Sequence, residues 1–101
     1  MENVTIHTAS FTADQKLIDF INNKMEKLNQ YFHKIISADV FLKLDSKGNT
    51  VNDKTVEVKL MVPGSKLFAS SSDKIFESAA NESIDNVRRQ LVRYKEKMRN
   101  R

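Results

Sequence analysis

The chain has no cysteine, only two glycines and a single proline among its 101 residues. Without cysteine it can form neither a disulfide framework nor a thiolate metal site. That composition suits a reducing compartment, and the cytoplasm is the expected location. Glycine stands only at positions 48 and 64, so no GxGxxG turn or P-loop can cradle a nucleotide phosphate. His7 and His33 are the only histidines and no HExxH-like spacing exists, so no metal site is expected. No apolar stretch approaches the length needed to cross a bilayer. The Met1-Glu2-Asn3-Val4 start lacks the basic region and apolar run of a secretory signal. Carboxylates are scattered, and Asp19 and Asp85 read as solvated or ion-paired. No nucleophile is matched with a base, and Ser70-Ser71-Ser72 reads as a strand end leading into a helix. The expectation is a protein that is not an enzyme, needs no cofactor, takes no small-molecule substrate and has no membrane role.

What remains is enough for one domain over residues 1–101, with a single modest core. Residues 3–8 alternate as a half-buried strand does, with Val4 and Ile6 on one side. Thr12 is a good helix cap and Gln15 completes a capping box. Leu17, Ile21, Met25, Leu28 and Phe32 then mark one face of a helix over residues 13–32. Residues 36–44 alternate again, with Ile36, Ala38, Val40, Leu42 and Leu44 on one side. A polar stretch from Asp45 to Lys54 contains the turn signal Gly48-Asn49. Residues 55–62 form a third strand, and Pro63-Gly64 fits the centre of a type II turn into a fourth strand at 66–72. Asp73 can cap a second helix whose stripe is Phe76, Ala80, Ile84, Val87, Leu91, Tyr94 and Met98. At about 25 residues this helix is roughly 37 Å long.

The order is β-α-β-β-β-α, an α+β fold. A right-handed crossover makes the first two strands parallel, and the last three strands form a meander. Each strand is apolar on one side only, so both helices are expected on one face of a four-stranded sheet. The second helix should overhang that sheet.

The charge is unevenly spread. Arg88 to Arg101 carry seven basic residues and one acid, a net +6. Set against the whole chain's +4, this leaves −2 for residues 1–87. Arg89, Arg93, Lys97 and Arg101 form one ridge of the second helix, and Arg88, Lys95 and Arg99 form another. Both flank the apolar stripe. On the first helix Lys16, Lys24, Lys27 and Lys34 share a side with Phe20 and Tyr31. Side-by-side helices could join these flanks into one patch. Cations near a helix C-terminus stabilise its dipole by a few tenths of a kcal/mol each. That explains two or three of them but not seven in fourteen. The pattern points to a nucleic acid or another polyanion, and neutralising about six to eight phosphates would make binding steeply salt-dependent. No apolar face is left over for a membrane, because the sheet needs the stripe.

Three stretches carry a family resemblance. Lys24-Met-Glu-Lys27-Leu28-Asn-Gln-Tyr31-Phe32-His-Lys34-Ile35 resembles the end of the first helix in the ribosome hibernation-promoting factor and ribosome-associated inhibitor family. Leu67-Phe-Ala69-Ser70, followed by Asp73 and Phe76, resembles that family's fourth strand and entry to the second helix. The run from Ala79 to Lys97, with Ile84-Asp85, Val87 and Arg88-Arg89-Gln90-Leu91, resembles its second helix. The resemblance implies a fold similar to a double-stranded-RNA-binding domain. It also implies binding to the small ribosomal subunit, where mRNA and tRNA pass, and inhibition of translation by occlusion; a monomer is expected. It carries over Lys24, Lys27 and Lys34 on the first helix, and Arg89, Arg93, Lys95, Lys97 and Arg99 on the second, as contacts to ribosomal RNA. Arg88 and Arg101 join them from the charge pattern alone. Asn86 departs from the family, many of whose members have a basic residue there. Long members carry a further dimerisation domain, so the short form is expected. A general double-stranded RNA or polyanion binder is the alternative reading.

Overall fold

The computed structural model describes residues 3–9, 11–45 and 53–99. Their elements are β1 (Val4–Thr8), α1 (Gln15–Tyr31), β2 (Ser37–Asp45), β3 (Asp53–Val62), β4 (Ser65–Asp73) and α2 (Phe76–Arg99). The expected α+β order is therefore observed. The Gly48-Asn49 turn signal and Arg101 lie outside the described residues. One sheet runs β1-β2-β3-β4. β1 and β2 are parallel, with Val4 opposite Ala38 and Ile6 opposite Val40. β2, β3 and β4 are antiparallel, with Val40 opposite Val58 and Val58 opposite Ala69.

That register puts the apolar half of each strand on one face. Ala38, Val40, Leu42, Val56, Val58, Leu60, Val62 and Ala69 are all buried there. Against them pack Leu17, Ile21, Met25 and Leu28 from α1, and Phe76, Ala80, Ile84, Val87 and Leu91 from α2. Each large aliphatic side chain buried in this layer contributes roughly 1.5–3 kcal/mol. Ala79 and Ser83 are also fully buried, and their small size lets α2 lie close. The Ser83 hydroxyl is satisfied by donating to the Ala79 carbonyl at 2.9 Å. The opposite face carries polar pairs, such as Lys43 with Glu57 at 2.9 Å and His7 with Asp39 at 2.8 Å.

Four local expectations are corrected. The cap of α1 is Asp14, not Thr12; its carboxylate accepts from the Lys16 N–H at 3.1 Å. The cap must immediately precede the first helical residue, and an aspartate two residues nearer the helix takes that place. Gln15, freed from the box, donates to Asp19 at 2.9 Å. Asp73 does not open α2. Strand pairing holds it opposite Lys54, its carboxylate accepts from the Lys74 N–H at 2.6 Å, and the helix begins at Phe76. Lys34 is not helical. Phe32 ends α1 with an extended φ of −141°, its N–H reaching Leu28 O at 3.0 Å, so Lys34 falls in the following turn. Burying both Phe32 and Ile35 requires that change of direction. Ile36 and Leu44, expected on the inner side, are 56% and 47% exposed; they flank the buried run of β2 at its two ends.

The overhang of α2 is present. The Tyr94 hydroxyl donates to Pro63 O at 2.5 Å, at the β3–β4 turn, where Gly64 takes a positive φ of 75°. That turn is the end of the sheet. The helix continues from there to Arg99, about 7.5 Å further at 1.5 Å per residue. Met98 belongs to the apolar stripe yet is 40% exposed, because no strand lies beneath it.

Candidate nucleic-acid interface

α1 and α2 lie side by side over the sheet and leave a groove of about 460 Å³ between them. Lys24 and Lys27 line it from α1 and Arg88 from α2, with Leu28 and Ile84 below and Asn81 and Asp85 on the α2 side. The three- and four-residue spacings that bury Leu28 and Ile84 aim these neighbours at the groove, since residues three and four apart share a helix face.

Aromatic rings hold the cations in place. Lys24 Nζ lies 5.6 Å from the centroid of the Phe20 ring. The Arg88 guanidinium lies 5.6 Å from Tyr31. Lys95 Nζ is nearer, 4.1 Å from the Tyr31 centroid, and donates to Tyr31 O at 3.4 Å. Tyr31 thus gathers a cation from each of two turns of α2 at the end of α1. Each such contact contributes roughly 0.5–1 kcal/mol at an exposed site. Its larger effect is to limit the positions those cations sample.

The two ridges of α2 therefore part company. Arg88 and Lys95 face α1. Arg93 and Lys97 face the other way, lining a recess of about 360 Å³ with Ser65, Leu67, Gln90 and Tyr94 at the β4 side. Arg89 is ion-paired with Asp85, each side chain 58% exposed, so part of its charge is already answered. Arg99 is exposed at the helix end, and Lys34 is exposed in the turn after α1. Of the ten residues singled out by sequence, the groove unites Lys24, Lys27 and Arg88, with Lys95 beside them on Tyr31. Arg89, Arg93, Lys97, Arg99 and Lys34 are not brought into it.

Sequence reasoning missed Asn81 in the groove and Ser65 and Leu67 in the β4 recess. Asn81 carried a usable signal, lying a helical turn before Asp85. Ser65 and Leu67 carried none, because a recess between a strand and a helix exists only after they pack. Among the described residues no group of three or more His, Cys, Asp or Glu side chains could hold a metal ion. None of their helices is long and apolar enough to cross a membrane.

Known proteins share both sequence and shape with this chain. The profile of the family described as Sigma 54 modulation protein / S30EA ribosomal protein matches residues 4–99. A ribosome hibernation promoting factor from Salmonella typhimurium is 33% identical over 97 residues, covering 96% of this chain and 95% of that protein. Its counterpart from Escherichia coli is 31% identical over 97 residues, with the same coverage of each chain. Among solved structures, the Protein Y N-terminal domain of Thermus thermophilus superposes with a TM-score of 0.74 at 19% identity, covering 88% of this chain and 93% of that one. A ribosomal subunit interface protein from Coxiella burnetii gives 0.77 at 15% identity, covering 91% and 96%. At such identities the structural likeness speaks for the fold alone.

Proposed function

This chain belongs to the Sigma 54 modulation protein / S30EA ribosomal protein family, and from that membership we propose that it is a ribosome hibernation factor. It binds the small ribosomal subunit as a monomer, in the cytoplasm, through phosphates of ribosomal RNA. It acts by occupying the path of mRNA and tRNA and performs no catalysis. The observation that supports this most is the meeting of Lys24, Lys27 and Arg88 across one groove, in a chain whose relatives carry the hibernation name.

The physics suits the role. An arginine fork matches two phosphate oxygens, and lysines act as point charges beside it. Rings beneath two of the cations reduce the ordering cost on binding. The overhanging end of α2 extends the positive surface past the sheet, where it can meet phosphates that the body does not reach. Lys95 and Arg99 lie on that extension; Lys34 and the Arg89, Arg93 and Lys97 ridge contact other phosphates around the same body.

Reversing Lys24, Lys27 and Arg88 together to glutamate tests the reading. These side chains lie outside the core, so circular dichroism should be unchanged while co-sedimentation with ribosomes is lost. Undiminished sedimentation would sink the proposal. Ready displacement of the wild-type protein from ribosomes by unrelated duplex RNA would favour a general duplex binder instead.

A further inference from the structure

One feature of the α1–α2 groove runs against simple phosphate binding. Asp85, a carboxylate, stands among Lys24, Lys27 and Arg88, with Asn81 one turn before it. A carboxylate repels phosphate, so a surface shaped only for phosphate would not place one there. It accepts hydrogen bonds and donates none. The groove thus holds cations for an anion, an acceptor for a donor, and an apolar floor of Leu28 and Ile84. At about 460 Å³ it falls within the range of roughly 300–1,000 Å³ common for small-ligand sites.

The Asp85 carboxylate is oriented rather than consumed. Arg89 Nη1 donates to its Oδ2, which leaves Oδ1 and the remaining lone pairs of Oδ2 for a ligand. A second acid, Glu82, also borders the groove, but its Oε2 accepts from Ser71 Oγ on β4 at 2.9 Å. Each acid keeps a second oxygen, but Glu82 is held toward β4 by that bond, whereas Asp85 stands three residues before Arg88 on the same helix face, which makes it the acceptor beside the groove's cations.

We propose that this groove receives one unstacked guanine nucleotide unit, with its phosphate on Lys24, Lys27 and Arg88 and its Watson–Crick edge on Asp85. Of the four RNA bases, only guanine presents two adjacent donors, N1–H and the N2 amino group, on that edge. Adenine and cytosine each offer one amino donor next to a ring nitrogen whose lone pair the carboxylate repels. Uracil's single N–H lies between two carbonyl oxygens. Sequence-specific RNA recognition commonly targets such splayed bases by their Watson–Crick edges. Asn81 supplies a further acceptor and donor beside the base, and the Leu28–Ile84 floor takes part of its apolar surface. The inference deepens the ribosome reading and rests on it for the biological ligand, an unpaired guanosine of ribosomal RNA.

The test titrates the full chain with 5′-GMP, 5′-AMP and inorganic phosphate, following backbone amides by NMR. GMP should shift residues on both walls, around 24–28 and 81–88, and bind about tenfold tighter than AMP, the gain from one further hydrogen bond to a charged acceptor. Phosphate should bind more weakly than either. Asp85→Asn keeps the shape but can accept at only one oxygen, so the preference should fall to about parity even as the lost negative charge favours phosphate. Glu82→Gln should keep the preference. Equal binding of GMP and AMP, absence of saturable shifts at these walls, or a preference that survives Asp85→Asn would overturn the proposal. Ribosome co-sedimentation of the wild-type protein separates the two readings. Sedimentation without guanine preference leaves hibernation standing and removes this site. Guanine preference without sedimentation does the reverse.

Discussion

Replacing Lys24, Lys27 and Arg88 by alanine should flatten the salt dependence of ribosome binding, and the size of the change can be worked out. Each phosphate neutralised contributes about 0.7–0.9 to the slope of log K against log salt. All three side chains border one groove, so one RNA segment can engage them together, and their loss should reduce the slope by about 2–3. Between 50 and 200 mM salt, a slope smaller by that amount means the wild-type protein loses about 20- to 60-fold more affinity than the variant. Stability should change little. The rings of Phe20 and Tyr31 each lose one cation at 5.6 Å, a contribution of roughly 0.5–1 kcal/mol apiece. The assay is ribosome pelleting at 50, 100 and 200 mM salt, with thermal melts alongside to show that both proteins stay folded. Arg93→Ala with Lys97→Ala, on the opposite flank of α2, is the comparison and should lower the slope by less than 2, about one unit per contact. If that double variant flattened the slope while the triple left it unchanged, the phosphates would lie on the β4 side and the groove argument would fail.

Two predictions concern the scaffold. Leu91 is fully buried in the α2 stripe, so Leu91→Ala should cost about 2–5 kcal/mol of stability, read from urea unfolding; a loss under 1 kcal/mol would mean that the core there is loosely packed. Gly64 has φ of +75° and a Cβ built on it would meet nothing within 4 Å, so Gly64→Ala should cost only the conformational term of about 1 kcal/mol, and a much larger shift of the urea midpoint would contradict the open turn.

Most of the fold was legible from period alone. Strands showed every second residue apolar, helices every third or fourth, and these patterns also set which faces must meet. Val58 could only face a helix once Glu57 and Lys59 were committed to water. The parallel pairing of β1 with β2 followed from chain handedness. The misses lie where two local preferences compete over a few residues. Thr12 and Asp14 are both good caps, and only the path of the chain into α1 chooses between them. Asp73 had the chemistry of a cap, but cross-strand pairing with Lys54 outweighed it. Lys34 kept the helical phase of Lys27, yet Phe32 and Ile35 had to turn inward, and the phase was lost.

For the candidate site, amino-acid order by itself determined the number of cations, their two ridges on α2 and the lysine side of α1. Those follow from 100° per residue for as long as the helix lasts, which is why Lys34, beyond the end of α1, left the set. Which ridge meets α1 was decided only by packing. A helix can present either flank to its neighbour without changing its own periodicity, and the choice depends on how both helices settle on the same sheet. That choice put Arg88 opposite Lys24 and Lys27, sent Arg93 and Lys97 to the β4 side, and placed the exposed Asp85 carboxylate on the rim of the groove.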